Sequence, residues 1–164
     1  MKPNTYCTVI FEGNESTGKT TLMRAFQKET GWRYPCIDRW LVSALVYNDF
    51  KLRHGDQTSE IYAEIDDLVR NHGVLIVYLK VDPEVQRKRF SRRGDWLYKE
   101  SDLDHIDACY KVVMTNLIYR YPNNVLVLIN NDEDESSNIV EITTRLLDLV
   151  QWGNMTKGGR NGGK

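Results

Sequence analysis

The stretch Gly13-Asn14-Glu15-Ser16-Thr17-Gly18-Lys19-Thr20 decides how this 164-residue chain folds, because it matches the pattern GxxxxGK[ST]. It follows an apolar run, Tyr6–Phe11, that is predicted to be a strand, and it precedes a predicted helix, Lys19–Glu29. In that setting, successive backbone N–H groups and the N-terminus of the helix point at phosphate oxygens. The stretch therefore predicts a loop that binds ATP with Mg²⁺.

The residues of this loop have separate expected roles. Gly13 and Gly18 allow tight turns and a close approach of the main chain to the phosphates. Lys19 is expected to neutralise the β- and γ-phosphates, and the hydroxyl of Thr20 is expected to ligate Mg²⁺. Switch proteins, motors and small-molecule kinases all use such a loop, so it does not name a reaction. The predicted ATP-binding residues here are Gly13, Asn14, Glu15, Ser16, Thr17, Gly18, Lys19, Thr20 and Thr21.

The rest of the chain alternates short apolar strands with amphipathic helices. Further strands are predicted at Tyr34–Ile37, Val74–Val81 and Val125–Ile129, with helical spacing of apolar residues between and after them. This alternation predicts an α/β fold of three layers, a parallel sheet with helices on both faces. We expect one domain over residues 1–152 and a Gly-rich, disordered tail over residues 153–164.

Composition excludes several classes of protein. Lys plus Arg is 22 and Asp plus Glu is 23, so the net charge of −1 disfavours binding of nucleic acid by bulk charge. Cys7, Cys36 and Cys109 form no CxxC pair, which predicts reduced thiols and no metal site among them. No apolar run is long enough to cross a membrane and the start lacks a signal-peptide core, so we expect a cytoplasmic protein without membrane partners.

Two acids stand at the ends of predicted strands. Asp38 would face the metal and the transferring phosphoryl group, and Arg39 directly after it could hold an acceptor phosphate bidentately. For Asp38 and Arg39 taken alone, the alternative is an ion pair with a purely structural role at a strand-to-helix turn. Asp82 follows an apolar strand, as a metal-binding acid of an ATPase would. Because Pro83 comes directly after it, we interpret Asp82 as the N-cap of a helix. The last strand ends in Asn130-Asn131-Asp132-Glu133, which lacks the Lys typical of guanine-specific switch proteins.

Four segments together resemble the thymidylate kinase family, within the nucleoside and deoxynucleoside monophosphate kinases. They are Phe11-Glu12-Gly13, Gly18-Lys19-Thr20-Thr21, Asp38-Arg39-Trp40 and Tyr78–Val85, and the resemblance covers most of Thr5–Val150. It implies a P-loop kinase fold, ATP and Mg²⁺ as cofactors, a small-molecule nucleotide as substrate and a homodimer.

The resemblance also implies the roles of individual residues. Asp38 would organise Mg²⁺ together with Thr20, and Arg39 would grip the acceptor monophosphate. An Arg-rich segment near residues 89–102, the LID, would close over the phosphates and stabilise charge during transfer. The implied catalytic residues are Lys19, Asp38, Arg39, Arg92 and Arg93. Arg89 would bind ATP, and the implied substrate-binding residues are Arg39, Trp40, Ser43, Tyr47 and Asn48.

The sequence departs from the family in three places. The region between the phosphate loop and Asp38 is short, so part of the acceptor pocket would have to be rebuilt elsewhere. After Gly94 the LID lacks a further Arg and carries Trp96 and Tyr98. Ser16 stands where some relatives have a catalytic Arg, which leaves the LID to supply positive charge.

Three functions follow as hypotheses. The first is a kinase that phosphorylates a deoxynucleoside monophosphate, with a dTMP-like pyrimidine favoured. The second is a deoxynucleoside kinase that phosphorylates a 5′-hydroxyl, with Asp38 or Glu12 as general base. The third is a nucleotide-binding protein without kinase activity, or a kinase that acts on nucleic-acid ends.

Overall fold

The strands form one parallel sheet, in the order β2-β1-β3-β4. The computed structural model describes residues 7–51, 57–95 and 97–158. Within them, the strands are β1 (Thr8–Glu12), β2 (Cys36–Asp38), β3 (Val74–Lys80) and β4 (Val125–Ile129). The second strand begins two residues later than predicted, and Tyr6 lies outside the described residues. Parallel pairing of every neighbouring pair confirms the predicted α/β sheet.

Helices connect the strands and follow the last one. They are α1 (Lys19–Glu29), α2 (Leu41–Phe50), α3 (Gln57–His72), α4 (Pro83–Arg93), α5 (Asp102–Arg120) and α6 (Glu135–Gly158). The last helix includes residues 153–158, which were expected to belong to a disordered tail, and residues 159–164 lie outside the described part. No described helix has the length and apolar character needed to span a membrane.

Both faces of the sheet are covered by helices. Ile10, Ile76 and Tyr78 belong to a core that includes buried side chains of α2, α3 and α5. Phe11 and Val77 belong to a second core, with buried side chains of α1 and α6. Because β3 is buried on both faces, nearly all of its residues are apolar instead of alternating with polar ones. The three predicted layers are therefore present.

The sheet order places the carboxyl ends of β1 and β2 side by side. Phe11 pairs with Asp38, so the phosphate loop after Glu12 begins next to the turn that carries Arg39. Ligands of open α/β sheets bind at this edge.

Asp82 precedes α4, but its side chain makes no capping hydrogen bond. Instead, its carboxylate accepts a hydrogen bond from Nδ2 of Asn131 at 2.8 Å, while its backbone N–H donates to Oδ1 of the same residue at 3.1 Å. Asp82 therefore occupies the predicted N-cap position of α4, but its side chain binds Asn131 of the loop after β4 and does not cap the helix.

Candidate active site

Two glycines of the phosphate loop occupy conformations that a side chain would disturb. Gly13 has a φ of +149°, and a Cβ built there would lie 2.5 Å from the backbone oxygen of Leu79. Gly18 has a φ of +83°, and its Cβ would lie 2.7 Å from Nδ2 of Asn130. The loop thus runs against the ends of β3 and β4, where only the absence of a side chain leaves enough room.

Hydrogen bonds from distant residues fix the loop in place. Asn130 donates to the backbone oxygen of Thr17, and Gln86 donates to that of Glu15, both at 2.8 Å. Asn14 donates to the backbone oxygen of Leu103, also at 2.8 Å. Asn14 therefore serves to anchor the loop. Gln86 and Asn130 were not singled out as loop anchors by the sequence, since their contacts arise from tertiary packing.

Lys19 is buried and lies inside the curve of the loop. Its Nζ donates to the backbone oxygen of Asn14 at 2.6 Å and to Oγ1 of Thr17 at 3.4 Å. Burial and, as a smaller effect, the positive charge of Arg39 lower the pKa of Lys19 from 10.5 to about 7. An anion in the loop would oppose both effects, because it would favour the charged ammonium group.

Thr20 and Asp38 lie together at the start of α1 and the end of β2. The hydroxyl of Thr20 donates a hydrogen bond to Oδ2 of Asp38. One hydroxyl and one carboxylate fit Mg²⁺, which keeps several waters and takes further oxygens from substrate phosphates. The described residues contain no cluster of three or more His, Cys, Asp or Glu side chains able to hold a metal by themselves. A metal here would therefore need the phosphates of a nucleotide to complete its ligands.

A cavity of about 840 Å³ opens beside the loop. We call it the donor cavity. In the described part of the chain, two buried polar atoms lack a hydrogen-bond partner, Oγ of Ser16 and Nη1 of Arg89, and both residues line this cavity. On the same guanidinium group, Nη2 of Arg89 donates a hydrogen bond to Oδ1 of Asp132 at 2.8 Å. Phosphate oxygens are acceptors that would satisfy these two groups. Other lining residues are Gly18, Lys19, Thr20, Thr21, Asp38, Arg39, Arg93 and Asn131.

Arg39 stands at the turn after β2 with a positive φ of 64°. Its Nη2 donates to Oε1 of Glu15 at 2.5 Å, and its Nη1 donates to the hydroxyl of Tyr47 at 2.8 Å. Tyr47 donates in turn to the same Glu15 oxygen at 2.8 Å, and its ring lies 5.3 Å from the guanidinium carbon. Arg93 approaches the other oxygen of Glu15 at 3.5 Å. Glu15 thus joins two arginines, a role that the sequence did not reveal.

A second cavity, of about 570 Å³, lies on the other side of Arg39. We call it the acceptor cavity. Its lining comes from the loop, from the turn after β2, from α2 and from the LID: Glu15, Arg39, Ser43, Ala44, Tyr47, Arg93, Gly94, Asp95, Leu97 and Tyr98. Arg39 and Arg93 line both cavities, so these two residues lie between the two spaces.

Not every predicted residue lies at these cavities. Trp40 packs against the core below α2, and Asn48 lies half-buried on α2 outside the lining of both spaces. Arg92 is exposed and lines neither cavity, whereas Arg93 of the same helix lines both. Ser43 lines the acceptor cavity, but its hydroxyl already donates to Glu12. Trp96 lies outside the described residues.

Glu12 is completely buried below the site. Its carboxylate accepts hydrogen bonds from the backbone N–H of Trp40 at 2.7 Å and from the hydroxyl of Ser43 at 2.6 Å. The hydroxyl of Tyr110 donates to it at 3.3 Å. Burial raises the pKa of Glu12 above its ordinary 4.5, although these hydrogen bonds act in the opposite direction. Glu12 therefore ties β1 to the start of α2, and it lines neither cavity.

Comparisons with known proteins show the fold but no family. No protein-family model matches the chain. The SPbeta prophage-derived uncharacterized protein YorR of Bacillus subtilis (strain 168) is 32% identical over 100 residues, which is 61% of this chain and 60% of that relative. The match therefore spans less than two thirds of the relative's length.

Solved structures extend the likeness over more of the chain. The crystal structure of the Bacillus subtilis YorR protein in complex with phosphorylated GDP superposes with a TM-score of 0.67 at 22% identity, covering 87% of this chain and 96% of that one. A gluconokinase from Sinorhizobium meliloti 1021 has a TM-score of 0.45 at 15% identity, over 94% and 98% of the two chains. The likeness to YorR shows that the chain has the three-layer α/β fold of P-loop kinases.

Proposed function

We propose that the protein transfers the γ-phosphoryl group of ATP to the phosphate of a nucleoside or deoxynucleoside monophosphate. The observation that carries this proposal is the position of Arg39 and Arg93, which line both the donor and the acceptor cavity. A simple nucleotide-binding protein needs no second cavity joined to the first by two guanidinium groups. Such groups suit an acceptor phosphate and the phosphoryl group that moves towards it.

The chain's own residues would divide the work between binding and charge stabilisation. The loop amides and Lys19 would bind the donor phosphates, and Arg89 would cover them from α4. Thr20 and Asp38 would hold Mg²⁺, which when bound neutralises phosphate oxygens. Arg39 would bind the acceptor phosphate through its planar, bidentate donors. Because Ser16 carries no charge, Arg93 would supply the remaining positive charge near the transferring group.

The geometry supports a monophosphate acceptor better than a free 5′-hydroxyl. Glu12, one of two candidate bases for hydroxyl phosphorylation, is buried under α2 and lines neither cavity. Asp38, the other, is bonded to Thr20 at the expected metal position. The YorR structure, with its bound phosphorylated GDP, supports a nucleotide ligand. The resemblance to thymidylate kinases favours a dTMP-like pyrimidine.

Product formation with a panel of acceptors tests the proposal. Release of ADP from ATP should rise with one or more of dTMP, dUMP, dCMP, dAMP, dGMP and their ribose forms, and the matching nucleoside diphosphate should form in equal amount. GTP as donor and thymidine as acceptor belong in the same panel. Turnover with thymidine but with no monophosphate would instead establish a nucleoside kinase. Tight ATP binding without transfer to any acceptor would establish a nucleotide-binding protein without kinase activity.

Arg39→Ala separates acceptor use from donor use. Loss of the guanidinium should lower kcat/KM for the monophosphate about a hundredfold, because one charge-assisted pair is removed from the acceptor phosphate. The KM for ATP should change much less. Arg33→Ala, at an exposed arginine after α1, is the matched control and should behave like the wild type. Equal losses for donor and acceptor would contradict the assignment of Arg39.

A further inference from the structure

The acceptor cavity is lined by groups of two kinds. Arg39 and Arg93 supply charge, and both also line the donor cavity. Tyr47 of α2 and the LID residues Leu97 and Tyr98 supply aromatic and apolar surface. If the arginines bind the acceptor phosphate, the aromatic and apolar side chains are the surface that remains for the rest of the acceptor.

We infer that Leu97 and Tyr98 of the LID form the surface that binds the nucleobase of the acceptor. This inference rests on the proposed function, and it identifies where the pocket is rebuilt in a chain with a short region before Asp38. A nucleobase presents flat faces that stack on aromatic and apolar side chains, and such stacking tolerates many bases. Leu97 is 62% exposed although it is apolar, and it lines the cavity.

Contacts within the protein hold this surface in place. The ring of Tyr98 packs on Tyr47 with centroids 5.6 Å apart and on Phe50 at 6.1 Å, and His105 of α5 contacts Phe50 at 5.0 Å. The backbone N–H of Leu97 donates to Oδ1 of Asp95 at 2.8 Å. The ring of Tyr98 is therefore held against α2, and this ordering reduces the entropy that ligand binding would otherwise cost.

The same contacts link the base to the acceptor phosphate. Tyr47, on which Tyr98 packs, also accepts a hydrogen bond from Arg39 at 2.8 Å. The position of the LID surface is therefore connected through one side chain to the guanidinium that binds phosphate.

Leu97→Ala and Tyr98→Ala test this inference, with two probes that differ only in the base. Each variant should raise the KM and the dissociation constant for a deoxynucleoside monophosphate about tenfold, since one stacking contact is lost. Inhibition by 2-deoxyribose 5-phosphate, which has no base, should be the same in variant and wild type. Leu97→Ala, at a side chain that is 62% exposed, carries the test if Tyr98→Ala does not fold.

Matched controls lie on other surfaces. Tyr119→Ala, at a tyrosine of α5 that is 89% exposed, and Leu147→Ala, at a leucine of α6 that is 53% exposed, should leave both probes unchanged. Equal weakening of the two probes by Leu97→Ala, or no weakening of nucleotide binding by either alanine variant, would overturn the inference. Titration calorimetry measures binding without turnover. A wild type that binds monophosphates but transfers nothing would therefore refute the proposed function and leave the inference standing.

Discussion

The donor and acceptor cavities differ in how the chain builds them. The phosphate loop and the start of α1 supply a run of sequence neighbours to the donor cavity, namely Ser16 and residues 18–22. The acceptor cavity draws on Glu15, on the turn after β2, on α2 and on the LID. A site made of neighbours can be recognised from a pattern of letters. A site assembled from distant segments can be recognised only once the helices and strands are placed in the fold. Variants at the two cavities test this contrast.

Lys19→Ala should have the largest effect and should affect both cavities alike. Removal of the ammonium group that faces the donor phosphates is expected to lower kcat about a thousandfold with every acceptor, because transition-state charge is left unbalanced. The measurement is ADP release at saturating acceptor. Lys28→Ala, in the last turn of the same helix, serves as the control and should retain wild-type turnover. A variant that lost activity with only some acceptors would contradict a pure donor role.

Gly13→Ala tests the donor loop through stability. The new Cβ would meet the backbone oxygen of Leu79 at 2.5 Å in a left-handed conformation, so the free energy of unfolding should fall by about 3 kcal/mol. Gly31→Ala is the control, since Gly31 has a φ of +58° with nothing within 4 Å of its Cβ. It should cost about 1 kcal/mol, the strain of the backbone alone. Chemical denaturation measures the free energy of unfolding of the two variants. Equal losses in Gly13→Ala and Gly31→Ala would show that the contact with Leu79 is unimportant.

Tyr47→Phe examines the acceptor side with a smaller change. It keeps the ring against Arg39 and Tyr98 and removes the hydroxyl that binds Arg39 and Glu15. We expect kcat/KM for the monophosphate to fall about tenfold while the KM for ATP stays constant, because a positioning hydrogen bond of the acceptor arginine is lost. Tyr119→Phe is the corresponding control. If ATP use suffered equally, Tyr47 would belong to the shared centre of the two cavities.

Glu12→Gln should give the smallest effect, a change in the pH dependence of stability. Burial raises the pKa of Glu12 above 4.5, so the folded protein binds this proton more tightly than the unfolded chain does. The resulting stability is fully present below pH 4.5 and is lost as the pH rises through the raised pKa. The free energy of unfolding of the wild type should therefore exceed that of the variant by most at acid pH. This difference should become smaller as the pH rises. Glu64→Gln, on the exposed side of α3, controls for the loss of one charge.

The fold could be predicted from the sequence because its signals are local. The run Val74–Leu79 contains no charged residue because β3 is buried on both faces there, and the helix after the loop begins and ends where its spacing of apolar residues predicts. Residues 153–164 were expected to form a Gly-rich, disordered tail, whereas α6 continues to Gly158. The homodimer and the cytoplasmic location stay predictions.

The site was predictable only in part. Arg39 and Arg93 line both cavities, whereas Arg92 lines neither, because a helix turns about 100° per residue and Arg92 therefore points away from Arg93. Trp40 was expected to contact the nucleoside, but its aromatic ring is more favourably buried against the core. Glu15 was assigned to the donor as part of a motif, and no motif could show that Arg39 and Arg93 converge on its carboxylate.

The convergence on Glu15 has a consequence for which anions the protein attracts. Its side chain is only 7% exposed and its negative charge cancels one of the two positive charges beside it. Without an acceptor, stray inorganic anions from the medium therefore meet a weaker field than two bare guanidinium groups would create. An incoming substrate must compete with this internal counter-ion, so compounds that bring additional contacts gain an advantage over small ions. Through Glu15, the phosphate loop of the donor cavity thereby also affects which anions bind in the acceptor cavity.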